Sequence, residues 1–192
     1  SFPKKAAMKM QGRTALMEKF LLLLQGMEQE IIDLEVKELG APCSFARISH
    51  CEYQYTRIRS YIDLAPEVPL VEKMPASTTY RAPVGVVGCI TPWNYPLGQV
   101  VQKVIPALLM GNTVVLKPSQ QTPLTCYLLA AALDQAGFPP GVFNMVTGRG
   151  GEVGNALAGH PLVQMISFTG STQGGVQVGQ RAALLSHAPA PQ

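Results

Sequence analysis

The sequence has 192 residues, 47% of them hydrophobic, and a formal net charge of +3. That length holds one domain with a real core, or one domain plus extra elements. So small a net charge gives no electrostatic reason to expect nucleic acid or a membrane surface as a partner.

The charge is unevenly placed. Residues 1–82 hold 11 of the 15 Lys and Arg and 10 of the 12 Asp and Glu, leaving six charged residues in 83–192. A stretch that poor in charge is buried on several sides or covered by a partner. A parallel sheet with helices on both faces has this character. Cys43, Cys51, Cys89 and Cys126 form no CxxC pair and no ligand cluster accompanies them. With no export signal in view, they read as reduced, mostly buried thiols of a cytoplasmic protein. His50, His160 and His187 lie far apart and belong to no ligand motif, so no metal is expected. The apolar run 20–24 is too short to span a bilayer.

In chain order, the first third reads as helix. Between 14 and 27, Leu16, Met17, Phe20, Leu21, Leu23 and Leu24 recur at three- and four-residue spacing. A second helix is predicted over 28–39, with Gly40, Ala41 and Pro42 stopping it. A third spans about 44–64. Pro66, Pro69 and Pro75 mark a linker, and 77–81 reads as a short strand. Beyond Pro83 the pattern changes to β-branched runs at 84–90, 113–116, 142–146 and 164–169, separated by helices at 96–110, 123–136 and 151–158. Ser171 opens a last helix toward Leu185, and the tail 186–192, with two prolines and no periodicity, is expected to fray. The chain thus divides into an N-terminal helical segment, 1–76, packing on a second domain, 77–185. Short apolar strands joined by helices imply right-handed crossovers and a parallel sheet, whose ligands bind beyond the carboxyl ends of its strands.

All four strand ends carry chemically useful residues. The first ends in Thr91-Pro92-Trp93-Asn94-Tyr95-Pro96, the second in Lys117-Pro118-Ser119-Gln120, the third in Gly148-Arg149-Gly150 with Gly154 beyond, and the fourth in Phe168-Thr169-Gly170-Ser171-Thr172. Singly, each has a structural explanation. The glycines serve turns, Ser171 is a helix N-cap, Asn94 satisfies a turn, and Lys117 is a solvated lysine. No G-x-G-x-x-G fingerprint follows the first strand.

The combination is more specific. TPWNYP at 91–96, LKPSQQTP at 116–123, GFPPGVFNMVTG at 137–148 and SFTGST at 167–172 resemble the NAD(P)-dependent aldehyde dehydrogenase superfamily in order and approximate spacing. The stretch LMEKFLLLLQGM leading to LEVKELGAP is similar to that family's N-terminal region, and the likeness runs to about Gln180. The resemblance implies an α/β fold: a partial Rossmann-like, doubly wound parallel sheet preceded by the helical segment. It also implies NAD or NADP as cofactor. The contact set it implies is Ile90, Thr91, Pro92, Trp93 and Asn94 after the first strand, and Lys117, Ser119 and Gln120 after the second. Gly148, Gly150 and Gly154 follow the third strand, and Phe168, Thr169, Gly170 and Ser171 the fourth.

In this family Asn94 would hold the oxyanion formed when a thiolate attacks the aldehyde. Lys117 would reach the adenine ribose, and Ser171 would face the pyrophosphate from a helix N-terminus. Gly148 and Gly154 would let the backbone lie close to the cofactor. Gln120 departs from the Glu usual in NAD-preferring members; a neutral amide keeps a hydrogen bond and removes repulsion of a 2′-phosphate, so NADP is expected to be tolerated. The GQ-x-C and ELGGK-like blocks that carry the family's nucleophilic cysteine and general-base glutamate do not occur in these 192 residues, and none of the four cysteines matches. The expectation is a truncated oxidoreductase piece, inactive by itself, that binds nicotinamide dinucleotide. The alternatives are a non-catalytic module that docks on a full-length homologue or self-associates through exposed apolar surface, and a functionless remnant.

Overall fold

The computed structural model describes residues 8–185; the tail expected to fray lies outside them. Two helices, α1 (Met10–Gly26) and α2 (Glu28–Leu39), open the fold. Gly40, at φ 74°, ends α2 in the left-handed conformation that a side chain resists. A helical run then passes from Cys43–Phe45 through a π-helical stretch, Ala46–Glu52, into α3 (Tyr53–Leu64) and a 3-10 turn, Ala65–Glu67.

The segment expected to be a linker holds a strand. β1 (Val71–Met74) pairs antiparallel with β2 (Ser77–Tyr80), and Pro75 sits in the turn between them. The prolines misled because none falls inside a pairing strand, where a missing N–H would have mattered.

The rest alternates as expected: β3 (Val86–Ile90), α4 (Pro96–Leu109), β4 (Thr113–Lys117), α5 (Leu124–Ala136), β5 (Phe143–Met145), a π-helical turn Gly150–Gly154 leading into α6 (Asn155–Ala158), β6 (Met165–Phe168) and α7 (Thr172–Leu185). The four strands form one parallel sheet in the order β5-β4-β3-β6. From β3 the chain steps outward through β4 to β5, then returns to β3's other side as β6. This reversal is the switch point of a doubly wound sheet.

α4 holds the two parts of the molecule together. Leu97, Val100, Val101, Val104, Ile105, Leu108 and Leu109 are all buried, too many for one face of a surface helix. One side meets the sheet through Val87, Cys89, Val114 and Leu116. The other meets Met17, Phe20 and Leu24 of α1 and Ile58 and Ile62 of α3, in one continuous core. Gly88 fixes the opposite face: a Cβ there would lie 2.5 Å from Ile166 Cδ1 and 3.1 Å from Leu157 Cγ. The missing side chain leaves room for those of Ile166 on β6 and Leu157 on α6.

Three cysteines are buried and Cys43 is exposed. Burial pushes the Cys89 and Cys126 thiols up to about 12 and Cys51 up to about 11. The folded chain therefore holds these protons more tightly than the unfolded chain, and the stability this contributes is present below about pH 9 and is lost as pH rises toward 12. Unfolding free energies from urea titrations at pH 7 to 11 should be flat and then fall above 9, by on the order of 1.4 kcal/mol per pH unit per ionising thiol. Replacing all three buried cysteines with alanine should flatten that fall.

Candidate functional site

The carboxyl ends of β3, β4 and β6 open into a cleft of about 570 Å³. Strand pairing positions its walls. Ile90 lies opposite both Lys117 and Phe168 in register, and the pairing runs one step further through Thr91 N–H to Lys117 O and Thr169 N–H to Ile90 O. The cleft is lined by Ile90, Thr91, Pro92, Trp93 and Asn94 from the first strand end, Lys117, Ser119 and Gln120 from the second, and Phe168, Thr169, Gly170 and Ser171 from the fourth. Gly150 also reaches it; Gly154 lines an adjoining recess that shares Ile90, Gly150, Phe168 and Ser171 with it.

Gly148 is set back. At φ 142° it makes the turn after β5, and a Cβ there would meet Val153 Cγ2 at 2.5 Å. Its place in the fold is the turn itself.

The electrostatics of the cleft are one-sided. Its lining contains a lysine and no carboxylate among the described residues. Lys117 is 3% exposed, not solvated, and its ammonium donates to the Pro118 carbonyl at 2.8 Å. Burial lowers its pKa. An ammonium has three donors, so two remain for a ligand. Gly154 lies beside it, where an added Cβ would stand in ordinary contact, 3.9 Å from Lys117 Cδ, and Gly150 faces open space.

Ser171 does cap α7: its Oγ accepts the Gly174 N–H at 3.1 Å. The helix therefore points its first-turn N–H groups and positive dipole end at the cleft. The Phe168 ring lies over that turn, so close that a Cβ on Gly170 would meet it at 2.6 Å and one on Gly174 at 2.9 Å. The amides of Asn94 and Gln120 are exposed and make no hydrogen bond among the described residues. Trp93 is 51% exposed at the rim, its carbonyl held by Thr122 Oγ1 at 2.8 Å.

Three residues of this region escaped the sequence reading. Gln99 and Gly174 line the cleft. Lys103 reaches from α4 to Thr169 Oγ1 at 2.6 Å, and burial lowers its pKa. The signal for Lys103 was present: it is one of six charged residues after residue 82, and the one charged residue of α4. A larger cavity, about 860 Å³ and lined by Lys103 among others, lies toward the amino ends of β3, β4 and β6. Strand-end geometry and convergent polar groups favour the smaller cleft as the site of chemistry.

A doubly wound α/β sheet with a cationic cleft at its switch point defines a ligand-binding platform. The particular family follows from comparison. The sequence matches the aldehyde dehydrogenase family over residues 1–188, and the chain belongs to it. It is 40% identical over 179 residues to 3-succinoylsemialdehyde-pyridine dehydrogenase of a Pseudomonas species, covering 89% of this chain and 36% of that one. It is 37% identical over 188 residues to 2-aminomuconic semialdehyde dehydrogenase of Danio rerio, covering 95% and 39%. Among solved structures, aldehyde dehydrogenase C of Pseudomonas syringae in complex with NAD+ and octanal superposes with a TM-score of 0.93 at 38% identity, over 96% of this chain and 38% of that one. An aldehyde dehydrogenase from Bartonella henselae gives 0.93 at 37%, over 96% and 40%. The chain thus spans 36–40% of the length of these relatives.

The cap gives a direct test of the local structure. Ser171→Ala removes the Gly174 N–H acceptor and should cost about 1 kcal/mol in urea unfolding; Ser171→Asp should keep the cap and nearly all of that stability.

Proposed function

We propose that these residues form the NAD(P)-binding part of an aldehyde dehydrogenase-type oxidoreductase, and that the 192-residue chain binds nicotinamide dinucleotide without oxidising aldehyde by itself. The observation that carries this is the buried Lys117 ammonium with donors to spare, in a carboxylate-free cleft at the sheet's switch point. Relatives of the same fold are recorded with NAD+, one from Bacillus cereus and one from Pseudomonas syringae.

In this reading Lys117, Ser119 and Gln120 hold the adenosine ribose. The capped end of α7, from Gly170 and Ser171, faces the pyrophosphate, with Gly150 and Gly154 giving the backbone room to approach. Pro92, Trp93 and the end of β3 flank the cleft, and Asn94 offers an unpartnered amide donor to an oxyanion. The nicotinamide group, when bound, supplies the hydride acceptor. No residue of this chain matches the family's nucleophile or its general base, which is why turnover is not expected from it alone. Residues 1–76 act as the support of the sheet, through α4. Free thiols and the lack of any described helix long and apolar enough to cross a membrane accord with a reducing, cytoplasmic setting. A second reading, a docking module, draws on the exposed Leu162, Met165, Val176 and Leu184 around β6 and α7.

The test is a titration with NAD+ and NADP+ followed by the fluorescence of Trp93, the only Trp. Saturable quenching is expected. Lys117→Met, which keeps the volume and removes the charge, should weaken it roughly 10- to 100-fold, the worth of a charge-assisted hydrogen bond. Ser171→Asp should weaken it through repulsion while leaving the helix capped. No response in a chain shown by circular dichroism to be folded would refute the reading. Gln120→Glu should shift the NAD+/NADP+ affinity ratio toward NAD+, since the new carboxylate repels a 2′-phosphate; an unchanged ratio would refute NADP tolerance.

A further inference from the structure

Beneath the cleft lies a buried polar group that cofactor binding does not use. Glu35 on α2 and His50 in the π-helical stretch are both fully buried, with Nδ1 3.1 Å from Oε2. That distance is an ion-pair contact, yet all four polar atoms of the two side chains lack a hydrogen bond. A buried pair so poorly satisfied stabilises a fold little compared with apolar residues of the same size. Its neighbours suggest another use. The His50 ring lies against Tyr95, centroids 4.3 Å apart, with Phe45 edge-on at its other side. The Tyr95 hydroxyl donates to Ser49 O at 2.7 Å, an acceptor it shares with the buried Gln54. Tyr95 is pressed so close to α4 that a Cβ on Gly98 would sit 2.1 Å from its ring. π-Helical stretches recur at functional sites, and this one supplies both the ring and the carbonyl that grip Tyr95.

Tyr95 directly follows Trp93-Asn94. On the other side Thr122 holds the Trp93 carbonyl. Trp93 and Asn94 are thus strung between two anchors while their own side chains stay exposed. We infer that Tyr95, seated on the π-helical stretch by Ser49 and the Glu35–His50 pair, is a positioning residue that holds the Trp93–Asn94 segment in the cleft. Its place in a nucleotide site rests on the reading above; the anchoring itself does not.

The experiment measures Trp93 anisotropy and acrylamide quenching in the nucleotide-free chain, then NAD+ affinity. Tyr95→Phe keeps the ring and loses the bond to Ser49; Glu35→Leu/His50→Leu removes the buried pair without stranding one charge. Both should lower anisotropy and raise quenching. Both should also weaken NAD+ roughly two- to tenfold, the cost of ordering a loosened side chain. The control is Arg59→Met, which loses the pair with Glu18 in the same helical layer. It should shift the urea midpoint at most and leave Trp93 unchanged. Trp93 signals in Tyr95→Phe equal to wild type, or a control that loosens Trp93 as much, would overturn the inference. If wild type does not respond to nucleotide at all, the cofactor reading fails, and the anisotropy comparison alone decides the anchor.

Discussion

The cleft exists because β6 pairs with β3 on the side away from β4. A sheet that kept growing past β5 would have no crevice. One that reverses at β3 leaves two strand ends with loops diverging to opposite faces. The reversal depends on close packing at Gly88, whose missing side chain is filled by Ile166 of β6 and Leu157 of α6. The same register that seats Ile166 beside Gly88 seats Phe168 beside Ile90, so packing in the middle of the sheet sets the geometry of its end. A methyl group at residue 88 would have to displace the Ile166 and Leu157 side chains.

Strands and helices after Pro83 were legible because apolar runs and turn residues alternate there without ambiguity. The site was legible as four blocks, and pairing in the sheet brings three of them to one cleft, with the third block contributing Gly150 and the neighbouring Gly154. What sequence could not show was depth. Lys117 reads equally well as a surface lysine, and only the packing of the β4 end against the loops reveals a buried ammonium. Gly148 reads like Gly150, yet one shapes a turn and the other lines the cleft; the difference lies in which way the chain bends after β5. The π-helical stretch 46–52 was read as ordinary helix, because an i→i+5 register leaves the apolar periodicity of a short segment nearly unchanged. The pairing of Glu35 with His50, fifteen residues apart, is tertiary information.

The uneven charge has a physical reading in the fold. Apart from buried Arg13 and Glu35, the N-terminal helices carry most of their charges on an outer face, as in Arg59–Glu18 and Arg47–Glu28, partly exposed pairs of small worth. In the sheet region α4 and α5 are overlaid by α1, α2 and α3, while residues 149–184 are mostly exposed or half-buried and carry few charges. Of its six charged side chains, two are lysines drawn inward to the strand ends. Where most charge has been removed, those that remain at a cleft are costly to keep there, which makes Lys103 and Lys117 the informative ones.

These two lysines stand in different places: Lys117 lines the cleft, and Lys103 lines the larger cavity toward the amino ends of the strands. Lys117 stands at the end of β4, beside glycine-lined open space, with donors free for an anion. Lys103 stands under β6, with its ammonium already engaged by Thr169. Both have pKa values lowered by burial, so each would regain stability from a nearby negative charge, and in the proposed site Lys117 would bias the cleft toward an anionic ligand. The amino end of α7 would add the same bias from a second direction. In the proposed site these two supply charge, and the exposed amides of Asn94 and Gln120 would supply neutral donors and acceptors. Such a site would take affinity from charge and selectivity from amides. That division is why Gln120→Glu is expected to alter which dinucleotide binds, whereas Lys117→Met is expected to alter how tightly either one does.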